Sequence, residues 1–360
     1  MNSFVMRPIR ENDLEGLKNL AASIRGGMTS LPNDEELLES KIFESVRSFD
    51  PRIKKAGDQS YLFVLEDLKK KRLVGISGIH GRVGGFEPWY SYQIQNERFS
   101  HAPLNLEREV QVLHLKKEYK GPSEVCSLFL DDEYRKFGLG KLLSLSRFLF
   151  MGAFPKRFDT HVIAEMRGFQ NEQGIAPFWE SVGRHFFQKD FYTADFISGL
   201  GNKDFIQDLM PKYPIYITLL PPEVQAVIGR VHPDTEPALR LLKNEGFVES
   251  GEVDIFDSGP LIKAVVQEIR TIRESRTVKV RAFVQEIPDS PRMILSNRSL
   301  HFRSCLGSVH LNEEGTADLP EALEPLLEVK PGDSITYISE SQKSKSPKNE
   351  EKSNLLVRSL

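Results

Sequence analysis

The chain has 360 residues, 39% of them hydrophobic and 28% charged, with a formal net charge of −3. That length can bury a sizeable core and exceeds the usual single-domain size, so one large α/β unit with a smaller appended domain is expected. The near-neutral charge supplies no basic field for nucleic acid, no apolar run is long enough to span a bilayer, and an amino terminus without a signal-peptide core reads as cytoplasmic.

In chain order, Phe4 to Pro8 reads as a strand. A helix follows, capped at Asn12 or Asp13, with Leu14, Leu17, Leu20 and Ile24 on one face and an end at Gly26-Gly27. A second helix after Leu31-Pro32-Asn33 carries Leu37, Leu38, Ile42 and Val46. Tyr61 to Glu66 and Leu73 to Ile79 form a hairpin around the charged turn Asp67 to Arg72. The stretch from Gly84 to Lys120 shows no clear period apart from a strand at Val110 to Leu115. Next come an apolar strand, Val125 to Leu130, a turn through Gly140, and an amphipathic helix from Lys141. Val162 to Met166 reads as another strand, and Pro177 opens a further helix. A weak echo between residues 176–187 and 236–247 is consistent with a repeated half. From Thr277 the pattern turns to short alternating segments. The expected division is an α/β region over residues 1–276, a small β-rich domain over 277–340 and a disordered tail over 341–360 rich in Ser, Lys and Glu.

Only Cys126 and Cys305 occur, and neither stands in metal-ligand spacing with a histidine, so no metal is implied. Cys126 lies in an apolar run and reads as a small buried hydrophobe. The informative segment is Arg135-Lys136-Phe137-Gly138-Leu139-Gly140. It fits R-x-x-G-x-G between an apolar strand and a helix, where free N–H groups at a helix start can hold a pyrophosphate and glycines allow close approach. Taken alone, the same six residues read first as a glycine C-cap or ordinary turn.

Further stretches carry a family resemblance: Gly26-Gly27-Met28-Thr29-Ser30-Leu31-Pro32, Leu142 to Met151, Ala164-Glu165-Met166-Arg167-Gly168, Pro177-Phe178-Trp179-Glu180, Leu209 to Tyr216, Val227 to Pro233 and Asp254-Ile255-Phe256-Asp257. Together, from about residue 5 to 275, the chain resembles the bacterial arginine N-succinyltransferases. The resemblance implies an acyl-CoA N-acyltransferase-like fold of the α/β (α+β) class. It also implies succinyl transfer from succinyl-CoA to the α-amine of arginine in arginine degradation, with succinyl-CoA as cosubstrate and no permanently bound cofactor. His232 matches the family's proton donor and Leu128 its succinyl-CoA contact, with Phe129, Leu130, Arg135, Gly138, Leu139 and Gly140 completing the coenzyme region.

Several roles stay open at this stage. His232 can equally cap a helix start before Pro233. Glu124 and Glu165 are candidates for the base that accepts the amine proton, or can be salt-bridged structural carboxylates. A guanidinium calls for carboxylates, for which Asp254 and Asp257 are candidates. The succinyl carboxylate calls for donors, for which Thr29, Ser30, Arg167 and Lys212 are candidates. The family commonly continues Gly-Gly-Pro-Thr-Leu-Glu where this chain has Ser258-Gly259-Pro260-Leu261-Ile262-Lys263, which opens the reading of ornithine, another amine or another acyl-CoA as substrate. A non-catalytic acyl-CoA or arginine sensor is the remaining rival. Oligomeric state is not legible.

Overall fold

The computed structural model describes residues 3–24, 28, 30–199, 204–287 and 290–339. Gly26, Gly27, Thr29 and the 341–360 tail lie outside the described residues. Strand β1 (Phe4–Pro8) is followed by helices α1 (Leu14–Ser23) and α2 (Glu35–Ser48) and the hairpin β2 (Ser60–Asp67) and β3 (Arg72–His80). Asp34 caps α2 by accepting the Leu37 N–H at 3.0 Å. Asp13 does not cap α1 with its side chain. It accepts both terminal nitrogens of the buried Arg7, at 2.7 and 2.9 Å, while Glu66 accepts Arg7 Nε at 2.7 Å. That ion triad ties β1 to β2 and to the start of α1.

The stretch that showed no clear period is a long antiparallel ribbon, β4 (Gly84–His101) and β5 (Leu106–Lys120). Among the described residues its outer half has no strand neighbour besides its own partner, since β4 meets another strand only at Tyr92 and Gln93 and β5 only at Val112 and Leu113. Both faces are therefore largely solvated there, which removes the apolar alternation a half-buried strand shows.

Next come β6 (Ser123–Leu130), α3 (Leu139–Ala153), β7 (His161–Glu165), four short helices α4 (Pro177–Ser181), α5 (Gly183–Phe187), α6 (Phe191–Gly199) and α7 (Asp204–Leu209), then β8 (Ile215–Tyr216), α8 (Pro222–Gln225) and α9 (Glu236–Asn244). Strands β9 (Val248–Val253) and β10 (Pro260–Val265) and helix α10 (Arg270–Glu274) close this part. The two echoing segments differ in form. Residues 176–187 break at Val182 into two short helices, whereas 236–244 is one helix.

The carboxyl-terminal region contains β11 (Arg276–Val284), β12 (Met293–Asn297), β13 (Ser304–Gly307), β14 (His310–Leu311), β15 (Thr316–Pro320), α11 (Glu324–Leu327) and β16 (Ser334–Ser339). It is β-rich, as expected, yet it joins the rest edge to edge. The strand order is β14-β15-β11-β16-β12-β13-β1-β2-β3-β6-β7-β10-β9-β4-β5-β8, one sheet running through both regions. The junction is the antiparallel pair β1–β13, with Met6 opposite Ser304.

Helices α1 and α2 cover one face, packing Leu17, Leu20, Leu38 and Ile42 on Leu62, Val64, Leu73 and Ile76. On the other face lies α3. The sequence suggested an amphipathic helix, but α3 is buried almost all round, including Ser144, Ser146 and Arg147, because the carboxyl-terminal strands and α10 enclose what would be its polar side. Ser146 Oγ bonds Ser304 Oγ at 2.7 Å across that boundary. The main core draws on both regions: Phe302, Ile294, Leu306 and Ile338 pack with Phe63, Leu142, Phe148 and Phe150. A second core, around Trp179, Phe178 and Tyr92, underlies α4 to α7.

Phe302 is fully buried, its ring 5.4 Å from Phe150 and 5.7 Å from Phe63. Replacing it with alanine is expected to destabilise the whole protein by about 3–5 kcal/mol. Urea unfolding followed by both tryptophan fluorescence and circular dichroism should show one shifted transition. A loss confined to the carboxyl-terminal region, with the remainder unchanged, would show that the shared core is not cooperative.

Candidate active site

The site is built where two neighbouring strands part. β6 and β7 pair in parallel only at Ser123↔Val162 and Glu124↔Ile163. Beyond that point β6 bulges against β3, with Ser127 in the left-handed region at φ 51°, and the wedge between β6 and β7 opens. Arg147 reaches the bulge from α3. Its guanidinium is fully buried and bonds the Cys126 carbonyl at 3.2 Å, the Gly78 carbonyl at 3.5 Å, the Ser144 carbonyl at 3.1 Å and Ser144 Oγ at 2.9 Å. Burial pulls its pKa down to about 10. All four contacts go to neutral oxygens, so this cation serves the bulge carbonyls directly.

From Leu130 the chain turns through Arg135, whose Nε donates to the Leu130 carbonyl at 3.2 Å. Phe137 at φ 57° and Gly138 at φ 77° are two successive left-handed residues, and α3 starts immediately after them. Among the described residues no side chain caps this start; the Leu139 N–H turns back to the Lys136 carbonyl at 3.2 Å, and the partial positive charge of a 15-residue helix stands at the end of the turn. A Cβ at Gly140 would meet only Leu130 Cδ2, at 3.9 Å. The space beside Gly140 is open, as an approaching phosphate requires.

Strand alternation sorts the acids. Val125 and Val162 face the α3 core, so Glu124 and, two residues along from Ile163, Glu165 share the opposite face. Trp89 of β4 packs with Ile163 and Leu261 on this face and donates its indole N–H to Glu165 at 2.5 Å. The half-buried His80 of β3 stands directly opposite Glu124.

His232 reaches the same wedge by a strap. Met166 N–H donates to Pro260 O on the β10 side, so the next carbonyl, that of Arg167, faces the β6 side. There it accepts the His232 N–H at 2.8 Å, and Gly168 bridges Val231 beside it. The His232 side chain is 18% exposed. Its Nδ1 accepts the Asp234 N–H at 3.2 Å, so the neutral ring carries its proton on Nε2. Burial first, then the Arg167 charge, lowers its pKa below the usual histidine value, with Asp234 opposing.

A family model described as "Arginine N-succinyltransferase beta subunit" matches residues 4–271, and one described as its C-terminal domain matches 276–339. The chain belongs to this succinyltransferase family. Its similar proteins include the arginine N-succinyltransferase of Yersinia pestis (strain Pestoides F), 42% identical over 93% of this chain and 97% of the relative. That of Enterobacter sp. (strain 638) is 44% identical over 86% of this chain and 89% of the relative. Among solved structures, the arginine/ornithine succinyltransferase subunit AI from Pseudomonas aeruginosa superposes with a TM-score of 0.86 at 33% identity, covering 94% of this chain and 99% of that one. The acyltransferase fold and class expected from the sequence are thus shown.

Leu128, Phe129, Leu130, Arg135, Gly138, Leu139 and Gly140, expected from the sequence to meet the coenzyme, run from the end of β6 to the start of α3; Glu124 lies on β6, Glu165 ends β7, and Arg167 follows it with His232 bonded to its carbonyl. Ser30 is half-buried, and Thr29 lies outside the described residues. Three expected substrate contacts are placed otherwise. Lys212 is exposed beside a separate apolar groove formed with Phe186, Tyr213 and Leu219, next to the terminal strand β8. Asp257 spends one oxygen on Gly168 N–H at 2.7 Å and the other on Gly259 N–H at 2.8 Å, and Asp254 Oδ1 accepts the N–H groups of Phe256 and Asp257. Burial raises the pKa of both carboxyls, and the Asp254 charge pushes Asp257 further up. These two acids brace the strap that carries His232. Sequence reasoning missed His80, Trp89 and Arg147, each brought in by pairing between distant segments; only the aromatic run at Pro88-Trp89-Tyr90 offered a local signal.

Ser258 stands where the family pattern has glycine, and it is fully buried at φ 57° with an Oγ that finds no hydrogen-bond partner among the described residues. Ser258→Gly is expected to raise stability by about 1 kcal/mol by relieving that backbone strain. Asp257→Asn is expected to lower it by about 1–3 kcal/mol, since an amide cannot accept both glycine N–H groups. Denaturant melts of the two variants check the pair; equal and small effects would mean the strap is not under this constraint.

Proposed function

We propose that the protein transfers the succinyl group of succinyl-CoA to the α-amine of L-arginine, releasing N2-succinylarginine and CoA in arginine degradation, in the cytoplasm. The observation that carries this reading is the open wedge between β6 and β7 with the uncapped start of α3 at its mouth, in a chain of this family. The pyrophosphate sits at the positive start of α3 beside Gly138 and Gly140. The pantetheine runs along residues 128–130, which have no β7 partner, and Leu128 contributes its backbone. This brings the thioester to the bulge at Ser127.

The amine nitrogen attacks the thioester carbonyl carbon, and the carbon–sulfur bond then breaks. The amine proton leaves to a base on the α1/α2 face, Glu124 or Glu165, directly or through water. The departing sulfur takes a proton from His232. Arg167 and Ser30 receive the succinyl carboxylate. Pairing of that carboxylate with Arg167 cancels the like charge that depresses His232, so the acid strengthens its hold on its proton only once the cosubstrate is bound. Glu165 with Trp89 offers the guanidinium a carboxylate and an aromatic face.

A second reading, succinylation of ornithine, has a specific observation in its favour. Lys263 is exposed on β10 opposite Ile163, on the substrate face two residues from the Leu261↔Glu165 pair, where the family pattern has an acid, and the Pseudomonas relative is described for both amines. Thiol release measured with succinyl-CoA or acetyl-CoA against arginine and ornithine decides between them. CoA binding without thiol release under any pairing would leave the sensor reading.

Gly140→Ala should leave the fold intact, because its Cβ has room, and should raise stability by up to about 1 kcal/mol through helix propensity. CoA affinity should nevertheless fall about tenfold or more as the methyl displaces a charge-assisted phosphate contact. Calorimetric titration tests this, and unchanged affinity would make the loop a mere turn.

His232→Ala should lower kcat by about 10²- to 10⁴-fold with CoA affinity nearly unchanged. In an NMR titration His232 of the free protein should titrate below its usual value, and Arg167→Gln should move it upward. An alanine variant with near-normal kcat would remove His232 from the chemistry.

A further inference from the structure

His80 and Glu124 are direct partners in the β3–β6 register, and Cys126 follows two residues along β6. Alternation places all three on one face. Ile76 packs under α1 and α2, so His80, four residues along, faces the same way, while Val125 points to the opposite core and its neighbours Glu124 and Cys126 do not. An imidazole nitrogen, a carboxylate oxygen and the Cys126 sulfur lie within 4.8 Å of one another, and all three residues are half-buried. A tetrahedral ion at about 2.0–2.3 Å from each ligand holds its ligand atoms roughly 3.5 Å apart.

We infer that His80, Glu124 and Cys126 form a site for a thiophilic divalent cation of the zinc type, with a fourth position left to water, at the closed end of the β6–β7 wedge. Thiolate and imidazole donors select such an ion over magnesium or calcium. The ion occupies Glu124, one of the two candidate bases, and stands beside the path of the incoming amine. Its binding therefore switches acyl transfer off, a consequence that rests on the function proposed above, whereas the binding itself does not.

The charges around the thiol come from every packed element. Burial, the largest influence, holds the thiol above its usual pKa; a hydrogen bond with Ser127, then Arg147 on α3 and Lys41 on α2, favour the thiolate, and Glu165 on β7 opposes it. Metal binding replaces the thiol proton, which passes to solvent, so affinity rises with pH. The other cysteine cannot contribute. Cys305 is fully buried in a different core cluster, with its thiol pushed up to about 12.

The test uses the full-length protein, stripped by chelator, titrated first with cobalt and then with zinc in the absence of CoA and arginine. One ion per chain is expected, with a thiolate-to-cobalt charge-transfer band that disappears in Cys126→Ser and persists in Cys305→Ser. His80→Ala, and His80→Gln as the milder change, should weaken zinc binding at least about tenfold with unchanged circular dichroism. Zinc should inhibit succinyl transfer by the wild-type protein at lower concentration than by either His80 variant. Absence of saturable cobalt binding, or equal affinity in the wild-type, Cys126→Ser and His80→Ala proteins, overturns the site. Binding without inhibition overturns its regulatory role alone. A protein that binds the ion but never releases thiol overturns the acyl-transfer reading and leaves the site standing.

Discussion

Parallel pairing of β6 with β7 lasts for two residue pairs and then stops. A strand that leaves its neighbour inside a protein strands polar backbone groups, each of which costs free energy unless something replaces the lost partner. Here the replacements are specific. A left-handed Ser127, a conformation that costs of order 1–3 kcal/mol, turns the chain out of register. The buried Arg147 guanidinium takes the bulge carbonyls. The strap at Val231-His232 takes the Arg167 carbonyl. The length of β6 beyond Glu124 keeps no β7 partner, and the proposed function places the cosubstrate there.

The strap depends on two chains passing at a distance only glycine permits. A Cβ at Gly168 would stand 2.3 Å from the Asp257 carbonyl oxygen, and one at Gly259 would stand 2.0 Å from the Met166 carbonyl oxygen. Asp257, buried between them, joins both amides. A buried acid pair is a costly device, and its return is geometric: the position of Arg167, and through its carbonyl that of His232, is set by a carboxylate that approaches no solvent. This explains how residues that look from their chemistry like guanidinium ligands are taken up by the scaffold instead.

Legibility followed locality. Strand, glycine turn and helix succeed one another within thirty-odd residues, so the turn from Arg135 to Gly140 and its place before a helix could be read from spacing, while its coenzyme role and that of His232 came from the family resemblance. What spacing could not show was anything made by register. His80 and Cys126 are far apart in sequence and neighbours in the sheet, so a search for metal-ligand spacing passed over them. The β4 ribbon lacked a period because water bathes much of both its faces. α3 read as amphipathic because Ser144, Ser146 and Arg147 are polar, although each is buried: Ser146 bonds Ser304, Arg147 bonds the Cys126 carbonyl, and Ser144 bonds Arg147 within the helix. Asp254 and Asp257 could be recognised as important, but only the fold shows that their partners are backbone amides.

The pair β1–β13 also bears on how the protein is made. Met6 lies opposite Ser304, so the outer edge of the first strand has no neighbour until nearly the whole chain has left the ribosome. At the usual rate of synthesis that interval is roughly 15–60 s. Throughout it, the nascent sheet exposes a bare strand edge beside the apolar surface later covered by Phe302, the kind of surface on which chains aggregate. Arg7 and its two carboxylates all lie within the first 66 residues, so this charged cluster at the first strand needs no contact from the later chain.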